Sequence, residues 1–531
     1  MSLRARFVTE IGYNLEYYEY LKDYKDIWGN QLFTLDESKV KALIPKAQKY
    51  DYISNEDLNL SQLELREVDK QYFQYRFNTN VKLNIIHDKI EQEIQLENEV
   101  PYKLNDITER NAKLIAVGGH ITSMQWLPQD LMGEVKPKVS YLAIGVVIGE
   151  DRDLKDVNPT NAELNIFNNT REKNLNSSIQ IWQYNTENNE FELYKVFITS
   201  AFGAVSELQW APIYTDDPIL GVLTCVFKDG KVHLLKIETS APNYSIIEKS
   251  SFSYSSESKK NKNSHFTCFS YSGPHRILAG NTEGYITEFQ TPFYYKGDDL
   301  AKPNYKTFMS NGPISNITCV KNPDNPNDYI NVVNGQGHKG VAFTSRNPVS
   351  EVFSPLVEKS NIKPTYNHTL QNILLAYNLE YSNVASFRSL QDSEMTMFKF
   401  DSHITSAKMS EILGHPFMLT GTTNGEIILI NYTRKFLTAR GRNKMLNPLI
   451  MWKFLLNPSR DKKGKNSKDE LSLITTFSKT EMESNLTTTF SDKEIMISSL
   501  AWNENAIGAS IYAAGTASGV LIVERLDPNF A

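Results

Sequence analysis

The chain has 531 residues, enough to bury a large core and to hold more than one domain. Hydrophobic residues make up 40% and charged residues 22%, the balance of an ordinary soluble protein, and a net charge of −6 gives no global reason to expect nucleic-acid binding. No apolar run is long enough to span a membrane, and the first six residues lack the apolar centre of a signal segment.

Residues 1–110 read as a tyrosine-rich, acidic N-terminal extension. Tyr13 to Trp28 (YNLEYYEYLKDYKDIW) is its densest part, and Asp36 to Lys49 could form a short helix broken at Pro45. Two readings stand for this region. One is a partly ordered extension; the other is an aromatic arm packed on the following domain or on a partner.

From 111 to 531 the pattern is strongly β. A six-residue form recurs: apolar, Ser/Thr or polar, any, apolar, any, large apolar. It is seen at Ile121 to Trp126, Val205 to Trp210 and Ile497 to Trp502, and more loosely at Phe266 to Tyr271, Ile314 to Cys319 and Ile404 to Met409. A turn glycine follows in four of these units, at Gly230, Gly284, Gly425 and Gly519, each preceded by an apolar run and leading into another. The spacing leaves room for two strands and a loop, so each unit predicts a four-stranded antiparallel blade. A further blade is expected between 350 and 400, where Ile373 to Tyr377 and Met395 to Phe400 are strand-like but no first strand is evident. The prediction is therefore all-β: a seven-bladed β-propeller, with eight blades as the alternative.

The chain ends soon after a third strand, so Leu114 to Val117 is expected to supply the missing outer strand of the last blade. Insertions at 150–177, 250–264 and 434–494 are expected to be surface loops. Cys225, Cys268 and Cys319 lie singly in strand-like runs and read as core residues.

The blades resemble WD40 repeats. Gly119-His120 ahead of Ile121 to Pro128 looks like the family's Gly-His and first strand, and Ile179 to Trp182 like its third, although Gln183 stands where Asp is frequent. A narrower resemblance, carried by His120 to Pro128, Tyr141 to Gly145, Ser178 to Trp182 and Phe202 to Pro212, is to the larger propeller subunit of TFIIIC, the RNA polymerase III general transcription factor, in a fungal version. That resemblance implies a nuclear, non-enzymatic scaffold. It would pair with a second WD40 propeller subunit in the module that recognises the B-box promoter of tRNA genes. Members of that type have a longer N-terminal region, so the sequence is expected to be a piece of a longer protein.

Signals of catalytic chemistry are weak. Gly335 to Gly340 matches G-x-G-x-x-G, but strand-like Val341 to Phe343 follows where a dinucleotide site needs a helix, so it reads as a blade turn. The nine histidines form no zinc spacing, and His120, His265 and His403 are expected to hydrogen-bond within blades. No cofactor, metal site or small-molecule substrate is expected.

The strongest local signal is charge. Eleven basic residues lie between Arg434 and Lys468, opposed only by Asp461. Arg434, Lys435, Arg440, Arg442, Lys444, Arg460, Lys462, Lys463 and Lys465 are the candidates for contact with DNA or an acidic partner; a solvated loop is the plainer alternative. Within the run, apolar Leu446 to Leu456 is either a strand closing the preceding blade or an anchor for another subunit. A generic WD40 adaptor and a propeller enzyme acting on glycans remain as other readings.

Overall fold

The computed structural model describes residues 18, 19, 22, 50–77, 80–129, 138–148, 176–256, 264–295, 301–321, 325, 328–335, 339–345, 347–358, 362–367, 372–378, 382–387, 395–400, 402–409, 417–432, 448–457, 470–480, 491–505 and 509–526. All six copies of the repeated form are strands: His120–Trp126, Val205–Trp210, Phe266–Tyr271, Ile314–Lys321, Ile404–Met409 and Ile497–Trp502. Each pairs antiparallel with the strand after it, and in all six the register shifts at the second position of the repeat. The Ser/Thr of the signature therefore marks a β-bulge. At Thr122, Ser206, Thr267, Ser315 and Ser498 the hydroxyl donates to a carbonyl of the facing strand, at 3.0 to 3.3 Å. Thr405 instead donates to the Ile497 carbonyl of the following sheet.

The positions marked "any" have a purpose as well. The Gln125 side-chain oxygen accepts the Trp210 backbone N–H at 2.6 Å, Glu207 accepts that of Phe269 at 3.2 Å, and Ser270 that of Cys319 at 3.1 Å. The first four inner strands are thus stitched one to the next through polar side chains.

Among the described residues, seven sheets of four or more strands succeed one another along the chain, as a β-propeller requires. The sheet after Phe266–Tyr271 is the plainest: Arg276–Asn281, Tyr285–Gln290 and Tyr305–Phe308 complete it in order. The sheet with no evident first strand begins at Thr365–Asn367, three residues long, and continues through Asn372–Asn378, Ser382–Phe387 and Met395–Phe400. Apolar side chains fill the space between neighbouring sheets, with Trp126, Trp182, Trp210, Trp452 and Trp502 all fully buried.

The ring closes as the sequence predicts. Ala112–Ala116 pairs antiparallel with Val520–Arg525, with Ala116 opposite Val520 and Leu114 opposite Ile522. The Val117 N–H extends this ladder to the Gly519 carbonyl at 3.0 Å.

Two expected loops are corrected. Phe252–Ser255, inside the 250–264 insertion, is the outer strand of its sheet. Within 434–494, Leu449–Asn457 and Glu470–Ile474 are strands, because Met451, Trp452, Phe454, Leu471 and Leu473 are buried. Of the two readings for Leu446 to Leu456, the closing strand is the observed one: Leu449–Asn457 pairs antiparallel with Glu426–Asn431.

The segment ahead of the ring runs along its outside. Asp51–Tyr52 pairs with Ile213–Tyr214, and Glu64–Glu67 with Tyr244–Lys249. A short helix, α1 (Lys70–Arg76), buries Phe73, and Phe77 follows it into the same cluster with Ile115, Val117 and Ile246. The hairpin Val81–His87 and Ile90–Leu96 then joins the sheet of Ile404–Met409 through Glu470–Ile474, burying Leu83, Ile85, Ile94 and Leu96. Tyr102–Lys103 finally edges the closing strand. Most of the expected tyrosine-rich stretch, Tyr13 to Trp28, lies outside the described residues.

Candidate partner-binding surfaces

The candidate residues Arg434, Lys435, Arg440, Arg442, Lys444, Arg460, Lys462, Lys463 and Lys465 lie outside the described residues. Where the chain leaves and rejoins the fold is defined. Residues 433–447 connect Glu426–Asn431 to Leu449–Asn457, and residues 458–469 connect that strand to Glu470–Ile474. The run that reads as one basic insertion is thus two connections, leaving opposite ends of a strand about 30 Å long. Lys453, in the middle of the run, belongs to neither. It stands opposite Glu426 in the ladder, with its Nζ 2.8 Å from the Glu426 carboxylate.

Gly335 ends the strand Tyr329–Gly335, and Lys339–Thr344 is the next strand, paired back onto it. A strand where a helix would have to start removes the phosphate-binding geometry of a dinucleotide site. Cys225 and Cys268 are buried, and desolvation pushes their thiols well above the ordinary range; Cys319 is half-buried and is pushed up to about 12 by the same cause. None has the character of a reactive thiolate. His120 Nδ1 is shut away from solvent and has no hydrogen-bond partner among the described residues; the ring meets the backbone at Ala517, in the last sheet rather than in its own. His265 Nδ1 likewise has no hydrogen-bond partner among the described residues, and its ring packs over Gly230. Among the described residues no three His, Cys, Asp or Glu side chains gather to hold a metal ion.

Two surface features add to the sequence candidates. The first is the packing of residues 50–110 on the ring, which the packed-arm reading allowed; the buried arginine at the end of that segment was not anticipated. Arg110 makes paired bonds to Glu524 at 2.7 and 2.8 Å, donates to the Thr475 carbonyl at 2.8 Å, and lies 3.4 Å over the Trp452 ring. It ties the closing sheet to the sheet before it. The second is a cavity of about 650 Å³ lined by Ser272, His275, Arg276, Tyr295, Asp328 and Tyr329, where loops of two adjacent sheets meet.

No protein-family model matches the chain. It is similar to the transcription factor tau 91 kDa subunit of Saccharomyces cerevisiae, 24% identical over 476 residues, covering 87% of this chain and 65% of that protein. It is also similar to the transcription factor tau subunit sfc6 of Schizosaccharomyces pombe, 22% identical over 453 residues, covering 80% of this chain and 66% of that protein. The chain thus spans about two-thirds of the length of the curated relatives it matches. Both relatives are TFIIIC subunits, in line with the resemblance read from the strands at His120 to Pro128 and Phe202 to Pro212.

Proposed function

We propose that the chain is a nuclear, non-enzymatic scaffold subunit of TFIIIC, pairing with a second propeller subunit and supporting B-box recognition at tRNA genes. The observation that carries this reading is the extent of the similarity. An alignment covering 87% of the chain is longer than residues 111–531, so it reaches back into the wrapping segment as well as along the ring. Ring and wrapping are then one unit, with the propeller proper from 111 to 531 and the preceding segment braced along its outer strands.

In this reading the rigid ring presents surfaces, and the connections at 433–447 and 458–469 join opposite ends of one strand to the rest of its sheet. Arg434, Lys435, Arg440, Arg442 and Lys444 on one side, and Arg460, Lys462, Lys463 and Lys465 on the other, meet DNA phosphates or an acidic partner. Such contacts weaken as salt rises.

Affinity capture of the tagged protein from nuclei tests the proposal. The expected result is a stable set of partners that includes a second propeller protein and retains tRNA-gene DNA. Recovery of a lone monomer from the cytosol would overturn it.

A further inference from the structure

The wrapping segment begins by crossing the loops of two neighbouring sheets. Asp51 and Tyr52 pair with Ile213 and Tyr214, and Asn59 reaches the Phe293 and Tyr295 carbonyls. Along this crossing, tyrosines and carboxylates alternate. The Tyr294 hydroxyl donates to Asp51 at 3.0 Å, and the Tyr52 hydroxyl hydrogen-bonds Asp216. The rings remain accessible: Tyr52 is 62% exposed, Tyr295 40% and Tyr294 37%. The carboxylates of Glu56, Asp57, Asp216 and Asp217 are on the surface. His275 lies tilted against Tyr294 with ring centroids 4.4 Å apart and its Nε2 3.6 Å from the Asp51 carboxylate, and Arg276 lies 3.6 Å from the buried carboxylate of Glu288.

The strip leads into the 650 Å³ cavity through Tyr295. Ser272 lines that cavity, is only 4% exposed, and its hydroxyl has no hydrogen-bond partner among the described residues. A buried, unsatisfied hydroxyl at the foot of an open cavity fits a ligand that brings its own polar groups.

We propose that this strip and cavity bind an extended, lysine- and arginine-rich segment of a partner protein. A cation is attracted by both elements present, the face of an accessible tyrosine ring and the carboxylate beside it. The backbone of an extended peptide supplies donors and acceptors for the cavity. Nucleic acid is disfavoured, because its phosphates would face the surface carboxylates. The inference does not depend on which assembly the chain belongs to.

The test uses the full chain and a short fluorescein-labelled peptide of alternating arginine and glycine, followed by anisotropy at low and physiological salt. Asp51→Asn with Asp216→Asn should raise Kd about tenfold, a difference well within the range of charge-assisted contacts. Tyr295→Ala should also raise it, at an unchanged melting temperature. Glu91→Gln with Glu93→Gln removes the same charge from the exposed hairpin and should leave Kd unaltered. Equal weakening by both double variants would reduce the effect to general attraction and overturn the site. So would failure of the wild-type chain to bind the peptide.

Discussion

His120 opens the first inner strand half-buried, with its Nδ1 shut away from solvent. Burial and the nearby Lys493 charge hold its pKa down at about 4, only partly offset by the backbone contact at Ala517. Its unfolded value is near 6.5, so the sign is fixed. Above pH 6.5 the ring is neutral in both states and costs nothing. As pH falls from 6.5 to 4 the unfolded chain takes up a proton that the folded chain does not, and stability is lost. The loss amounts to about 3 kcal/mol over that window. Urea unfolding at pH 7.5 and pH 4.5 should show the wild type losing more stability than His120→Gln by about this amount. An identical pH dependence in both proteins would show that the ring is solvated. The strand position of His120 was legible in the sequence, since Gly119-His120 precedes a repeated form. Its isolation was not, because Lys493 and Ala517 lie far along the chain. The pairing of Asp51 with Tyr294 was hidden for the same reason, the two being 243 positions apart.

At the scale of strands and turns, a repeat was readable where a local constraint repeats. The bulge hydroxyl and the positive-φ glycine are such constraints, and every first strand found by them was observed. Gly284 shows how tight the second constraint is. Its φ is +81°, and a Cβ there would lie 1.7 Å from the Ser310 carbonyl oxygen. That oxygen is backbone, so Gly284→Ala must shift the link that follows Tyr305–Phe308 as well as strain its own φ. A loss of about 2–4 kcal/mol is expected, measured as a fall in the urea midpoint, whereas the same change at an exposed glycine of ordinary φ would stabilise by about 0.4–1 kcal/mol. The hairpin Val81–Leu96 escaped this reading because its turn is Asp88-Lys89, with Asp88 at φ 52°, in place of a glycine. Alternation of Leu83 and Ile85, then of Ile94 and Leu96, was the available signal. The short strand Thr365–Asn367 had none, since three residues cannot carry the six-residue form.

For the whole molecule, the question is what keeps the ring closed. Ala112–Ala116 supplies the closing ladder, so a chain starting at residue 111 retains it. That chain would lose what lies outside the ladder. Leu83, Ile85, Ile94, Leu96 and Leu104 are buried in one cluster with Trp452, Phe454, Leu473 and Trp502. Removing five such side chains exposes the outer face of the closing sheets, each being worth about 1.5–3 kcal/mol. It also removes Arg110, leaving Glu524 at 4% exposure without its cation. An uncompensated buried charge costs about 3–5 kcal/mol. Phe73 and Phe77, which cover Ile115 and Val117, would go as well. These losses together match or exceed the whole stability of a typical domain, about 5–15 kcal/mol. The chain beginning at 111 is therefore expected to aggregate or to melt far below the full protein, even though its ring-closing strand is present. Supplying residues 50–110 as a separate peptide during refolding should restore part of the lost melting temperature. A residue 111–531 protein that is monomeric and melts with the full chain would show that the ring is self-sufficient and that the wrapping serves only partners.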